Sequence, residues 1–408
     1  MKRDFTHFAD HLEQHRREFL RDVEDVRPVE NGAAPLRATP FSWVDPGTIP
    51  PRLWLYGRHL IRRFVSVTVA PGGVGKSSLT ICEALAMVSG KRLLGEWVAE
   101  RLRVWVLNLE DPRDELQRRV IATALHHSVS SEDLEGRLFL DSGRERGLCT
   151  ATQTRDGVLI NTPEVEALVS EIKARGIDVL VVDPFVSSHQ VNENDNGAID
   201  RVAKEWGRIA ERCNCAIELV HHTRKLGGEE ATSENSRGAV ALLGAARSAR
   251  VLNKMSEAQK EAAGVAGDPL TYFSVDRDKA NLAPPGKRLW RRMVSVELGN
   301  GDSVGVAEAW EWPDDFEGVT TKDVLAVQQA VAKAWEAGQP PRENAQAQSG
   351  WTGEIVADAL GLDASKDKKR IARMLAEWVK NGALRKVKHE DGKRNPRPCL
   401  EVGEWVTE

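Results

Sequence analysis

Val65-Ser66-Val67-Thr68-Val69-Ala70-Pro71-Gly72-Gly73-Val74-Gly75-Lys76-Ser77-Ser78-Leu79-Thr80-Ile81-Cys82-Glu83-Ala84-Leu85-Ala86 decides the fold. A β-forming run enters a glycine-rich turn, and the turn enters a helical period. Ala70 to Ser77 departs from the Gly-x-x-x-x-Gly-Lys-[Ser/Thr] form only at its first position, where Ala70 stands for glycine. The chain turns off the strand there, and a small side chain is tolerated. Gly72, Gly73 and Gly75, with Val74 between them, let successive backbone N–H groups converge on phosphate oxygens, and the following helix presents its positive end to the same anion. Lys76 is expected to bridge the β- and γ-phosphates of ATP, Ser77 to hold Mg2+, and Ser78 to add a hydroxyl to the α-phosphate.

ATP hydrolysis at such a loop needs a carboxylate near Mg2+ at the end of a neighbouring strand. Val179-Leu180-Val181-Val182-Asp183 supplies one: four apolar residues for a central strand, then Asp183 where open α/β sheets bind ligands. A second carboxylate must orient and deprotonate water. Val104-Trp105-Val106-Leu107-Asn108-Leu109-Glu110-Asp111-Pro112 carries Glu110 at the end of another apolar run, which makes it the expected general base. Asp111 is the rival, but Pro112 forces an extended or turn geometry on it, suited to capping the next helix. The strand Ala216 to Val220 runs into His221-His222-Thr223-Arg224-Lys225. Adjacent residues of an extended chain point to opposite sides, so the two histidines are poor joint metal ligands, and one of them is expected to sense the γ-phosphate.

Outward from these motifs the texture is uniform. Phe64 to Val69, Val104 to Leu109, Val179 to Val182 and Ala216 to Val220 read as strands. Ser77 to Val88, Arg113 to Leu125 and Ile199 to Arg212 read as helices. Such alternation predicts an α/β fold with a mostly parallel, twisted sheet and helices on both faces. After Arg247 the pattern becomes that of alternating strands, as in Leu289 to Leu298, expected at an antiparallel edge. The expected domains are a helical N-terminal arm and linker over 1–40, the ATPase domain over 41–315, a helix and linker over 316–350, and a small C-terminal domain over 351–408.

The chain has 408 residues, 41% apolar and 29% charged, with a net charge of −4. These values suit an ordinary globular protein rather than a disordered chain, and give no general attraction to nucleic acid. The strongest apolar run is far too short to cross a bilayer, so no membrane association is expected. Five cysteines form an odd set and fit a reducing cytoplasm. Cys213-Asn214-Cys215 is the one close pair, but no second Cys/His pair stands at zinc spacing.

The phosphate loop, a strand ending in Glu, a strand ending in Asp and a strand ending in a polar sensor, in this order, resemble the RecA-like ATPases. Asn108-Leu109-Glu110-Asp111-Pro112, Asp183-Pro184-Phe185, Glu193-Asn194-Asp195-Asn196-Gly197, Val220-His221-His222-Thr223-Arg224-Lys225 and Arg237-Gly238 are more specifically similar to the RepA-type branch. That branch comprises hexameric replicative helicases and related AAA-family ATPases of plasmids, phages and integrated elements. The resemblance spans roughly Trp43 to Trp312. It implies that the sensor is the second histidine, His222, and that subunits assemble in a ring, with a cation from the neighbour completing each ATP site. Arg247, ten residues past Arg237-Gly238, matches that arginine finger, with Arg250 as the alternative. DnaB-type relatives carry Lys-x-Arg on a late strand. Here Lys279-Ala280-Asn281 keeps only the first cation.

The resemblance also implies single-stranded DNA as partner, gripped by loops at Val186 to Asp195 and Arg224 to Arg237, and contacts with replication proteins. At the C-terminus, helices at Thr352 to Leu360 and Lys366 to Asn381 precede strand-like pieces at Leu384 to Val387 and Leu400 to Val402, an order that resembles a winged helix. Between Lys366 and Arg397 stand twelve Lys/Arg and four Asp/Glu, a footprint suited to phosphates.

Overall fold

The computed structural model describes residues 37–223, 240–265, 267–280, 282, 286–344, 350–390 and 396–407. The chain divides into two units, Met1–Pro51 and Arg52–Glu408. The helical arm expected before residue 37 lies outside the described residues. What is described of the first unit is extended, with one 3-10 turn at Pro46–Thr48 whose first N–H groups are capped by Asp45.

The second unit opens with a short antiparallel pair, β1 (Trp54–Tyr56) and β2 (Leu60–Ile61), and enters its main sheet at β3 (Val65–Pro71). Then follow the helix Lys76–Ser89, β4 (Val104–Asn108), the helix Arg113–His126, β5 (Leu138–Ser142) and a small hairpin of β6 (Ala151–Thr154) and β7 (Gly157–Ile160). The helix Thr162–Arg175 leads to β8 (Val179–Asp183), and the helix Asn196–Cys213 to β9 (Ala216–Thr223). After the helix Val240–Ala245 come β10 (Ser248–Lys254), β11 (Tyr272–Ala280), β12 (Leu289–Glu297) and β13 (Ser303–Trp310).

Nine of these strands form one sheet in the order β13-β12-β11-β10-β3-β9-β8-β4-β5. From β10 to β5 every pair is parallel, and from β10 to β13 every pair is antiparallel. β8 is covered on both faces, which is why Val179 to Val182 read as an unbroken apolar run. The antiparallel region therefore starts one strand later than expected, because β10 pairs with β3 in parallel.

The two faces of β3 differ. Val65, Val67 and Val69 enter the larger core with Val182, Leu219 and Trp206. Ser66 and Thr68 point the other way, into a buried polar network under the helix Lys76–Ser89. There the Arg250 guanidinium donates to both carboxylate oxygens of Glu83 at 2.6 Å and to Thr68 Oγ1 at 2.7 Å. Thr68 in turn donates to Glu218, whose other oxygen meets His59 Nε2 at 2.8 Å, and His59 Nδ1 meets the Ser248 hydroxyl at 2.9 Å. Five elements are thus joined by charge-assisted hydrogen bonds inside the core.

Beyond the sheet, the helices Thr321–Glu336, Thr352–Leu360 and Lys368–Lys380 pack with a hairpin of β14 (Leu384–Glu390) and β15 (Pro396–Val402). Val327 and Val331 of the first helix share one apolar cluster with Trp351, Val356, Ile371, Met374, Trp378 and Leu400. The helix that sequence grouped with the linker therefore belongs to the C-terminal core. Arg342 bridges to both Trp351 and Cys399, adding a third short segment beside the hairpin.

Candidate active site

The strands β3, β9, β8 and β4 are neighbours and all point the same way, so the residues at their C-terminal ends meet along one edge. Register supplies the detail. Asn108 pairs with Asp183, and the Leu109 N–H donates to the Asp183 carbonyl at 2.7 Å, which sets Glu110 just beyond the carboxylate of β8. Ala70 pairs with His222, which puts the histidine level with the start of the glycine loop.

Gly73 (φ 70°) and Gly75 (φ 107°) adopt left-handed backbone that a side chain would strain. A Cβ on Gly75 would also meet Met293 Sδ at 3.1 Å. The helix Lys76–Ser89 begins with neither a side-chain cap nor an acidic residue in its first turn, which leaves its N–H groups to an anion. Lys76 is only 4% exposed, and its Nζ donates to the Ala70 and Pro71 carbonyls at 3.0 and 2.9 Å. Burial lowers its pKa to about 8, against the pull of Asp183 and Glu110.

The Ser77 hydroxyl donates to Asp183 Oδ2 at 2.7 Å. Burial raises the Asp183 pKa, and the Ser77 hydrogen bond, His222 and Lys76 oppose the rise. Two hard oxygen donors held together beside a phosphate cradle fit Mg2+, which needs only one or two protein oxygens besides phosphate and water. Glu110 is exposed, and its Oε2 lies 3.9 Å from His222 Nε2. Asn108 Oδ1 accepts the Glu110 and Asp111 N–H groups at 3.0 and 2.7 Å, so a side chain of β4 shapes the turn that presents Glu110. Asp111 is engaged elsewhere, by Arg119 at 2.6 Å.

His221 and His222 face opposite sides of β9. His222 is exposed toward the loop, with its pKa lowered by burial and by Lys76. His221 is buried against Phe185, and burial lowers its pKa to about 4. Ser78 donates to the Gly305 carbonyl at 3.0 Å, so β13 borders the cradle. A cavity of about 560 Å³ opens over Gly73 to Ser78, with His222, Arg118, Arg119 and the stretch Asp302 to Gly305 around it. The two arginines and the β12–β13 turn were not among the residues singled out from sequence. Glu115, Arg118 and Arg119 do share a helix face by spacing, which was the available signal.

Arg247 is exposed, and its N–H donates to the Val65 carbonyl at the first residue of β3. The phosphate loop leaves the other end of that strand. Arg250, the alternative finger, is 4% exposed and fully engaged within its own chain. Arg237 and the loop from Arg224 to Arg237 lie outside the described residues, as does the side chain of Lys279.

Residues 31–228 match the AAA-domain family. The matched stretch, just under half of the chain, contains the phosphate loop, Glu110, Asp183 and His222. Solved structures similar to this chain include the ATPase domain of G40P, at 13% identity over 60% of this chain and 86% of that one, with a TM-score of 0.40. Another is a DnaB-like replicative helicase described with its interactions with primase, at 14% identity over 60% of this chain and 57% of that one, with a TM-score of 0.42. Among the described residues no helix is long and apolar enough to cross a membrane.

Proposed function

We propose that the protein is a ring-forming ATPase motor of the RepA helicase type that moves on single-stranded DNA of a plasmid, phage or other mobile element. One observation carries the shared-site part of this reading. Arg247 sits at the start of the β3–β10 pair and the phosphate loop at its end, about 20 Å away for a seven-residue strand. Its own γ-phosphate is out of reach, which supports a role for Arg247 at the ATP site of a neighbouring subunit. The DNA part rests on the motif resemblance.

In this reading the loop Gly72 to Ser78 and Lys76 hold the phosphates, with Ser77 and Asp183 as protein ligands of Mg2+. The metal, when bound, neutralises the β- and γ-phosphate oxygens. Glu110 orients and deprotonates the attacking water, and the neighbour's Arg247 stabilises charge developing on the γ-phosphoryl group. His222, within reach of Glu110, relays the phosphate state along β9 to the loop that follows.

The C-terminal helices and hairpin, read as a winged-helix-like unit, support a second reading, an ATP-switched DNA-binding or regulatory ATPase without unwinding. ATP turnover with and without single-stranded DNA, followed by strand displacement on a forked duplex, separates the two. DNA-stimulated turnover with displacement supports the motor. Unstimulated turnover with no displacement removes it and leaves the switch.

A further inference from the structure

The Cys213-Asn214-Cys215 pair plays no part in the ATP site. It stands where the helix Asn196–Cys213 hands over to β9, at the opposite end of the strand from His222. Asn214 occupies the left-handed region (φ 50°, ψ 37°), a tight turn that ends the helix between the two cysteines. Two 3.8 Å Cα steps bent at helical curvature span about 5.5 Å, inside the roughly 4.4–6.8 Å window that a disulfide needs. The two thiols influence one another electrostatically, Cys213 shifting down in pKa and Cys215 up, and the Cys213 S–H meets the Val169 carbonyl at 3.9 Å.

Their surroundings divide the roles. Cys213 is half-buried at the rim of the larger core, whereas Cys215 is fully buried within it. The neighbouring Cys215 thiol, together with Lys173 and Arg212, lowers the Cys213 pKa against the opposing effects of burial and Glu166. Asn214 is held by Arg62 at its carbonyl and by Arg63 at its side chain, at 3.0 and 2.9 Å, which fixes the turn. The remaining cysteines lack this arrangement. Cys82 and Cys399 are buried, and Cys149 has Ala151 and Thr152 beside it.

We propose that Cys213 and Cys215 form a reversible oxidation site, Cys213 attacking a hydroperoxide and Cys215 resolving the product to an intramolecular disulfide. In the first step the Cys213 sulfur takes the terminal peroxide oxygen, the O–O bond breaks and, after protonation, water leaves from hydrogen peroxide or an alcohol from an organic hydroperoxide, giving a sulfenic acid. In the second the Cys215 sulfur displaces that oxygen, the S–S bond forms and water leaves. The two thiols lose two electrons and two protons in all, and the hydroperoxide is reduced. An attacking thiol that is accessible and of lowered pKa beside a resolving thiol is the arrangement that favours this course over further oxidation. The short ring makes the bond readily reducible, so a dithiol reductant restores the pair.

The test uses the full chain and equimolar hydrogen peroxide, followed by alkylation and peptide mass analysis. The expected result is a fall in free thiols from five to three, with one peptide containing both cysteines lighter by two hydrogens and restored by dithiothreitol. Cys215→Ser should leave a sulfenic acid on Cys213 that dimedone traps, and Cys213→Ser should slow thiol loss at least tenfold. The inference is overturned if Cys82, Cys149 or Cys399 reacts first, if Cys213 proceeds to sulfinic acid with Cys215 free, or if the disulfide joins two chains. It stands apart from the motor reading, since none of these outcomes depends on DNA.

Discussion

Raising the pH should detach nucleotide from the protein in a way that reports on Lys76 alone. The Lys76 ammonium is buried among carbonyls of the loop it serves, and burial brings its pKa to about 8. Below that value it is a cation and attracts phosphate; above it the amine is neutral. Bound phosphates favour the charged form, so above pH 8 binding must also take up a proton. The apparent dissociation constant then rises by the factor 1 + 10^(pH − 8), which is about 2 at pH 8 and about 11 at pH 9, or about 1.4 kcal/mol between pH 7 and 9. The terminal phosphate is almost fully ionised above about pH 7 and adds little to the slope. A fluorescent, non-hydrolysable ATP analogue titrated between pH 6.5 and 9.5 reads the effect without turnover and leaves the Glu110 charge, which acts on Lys76, in place. Lys76→Met should bind weakly with a flat profile. A flat wild-type profile between pH 7.5 and 9, or an equal slope in Lys76→Met, refutes the argument.

The Glu110→Gln variant should lose ATP turnover by at least about 100-fold while keeping nucleotide affinity within about threefold, a typical loss for removal of a general base; steady-state turnover beside equilibrium binding decides it. Arg247→Ala and Lys76→Ala should each be inactive alone, yet recover activity when mixed, because a mixed interface can pair an intact loop with an intact finger. Mixed samples that stay inactive while assembling normally count against a shared site. Arg250→Met should destabilise the fold by about 3–5 kcal/mol, because it strands Glu83 and Glu218 in the core without their cation. Arg250→Met with Glu83→Leu should recover much of that loss, and denaturant unfolding of the three proteins measures the coupling; a single-variant loss below about 1 kcal/mol would contradict it.

The strands were readable because inner strands of a parallel sheet are buried on both faces and leave apolar runs such as Val179 to Val182. The phosphate loop was readable because its backbone angles at Gly73 and Gly75 restrict the residue type. Arg250 was not. An arginine on a strand reads as a surface cation unless its partners are known, and Glu83 and Glu218 come from a helix and a strand far away in the chain. The helix Thr321–Glu336 was legible as a helix, but its place in the C-terminal core depends on Trp351 and Leu400 closing over Val327 and Val331.

By itself the sequence determined which residues could bind phosphate, carry Mg2+ or move a proton, since local spacing dictates loop geometry and strand ends. Only the tertiary structure decided which of them meet. Hydrogen-bond register across β3, β9, β8 and β4 sets Lys76, His222, Asp183 and Glu110 along one edge. The same register leaves Arg247 at the other edge and Arg250 sealed inside, because strand order follows from how the whole sheet packs and is written in no single segment.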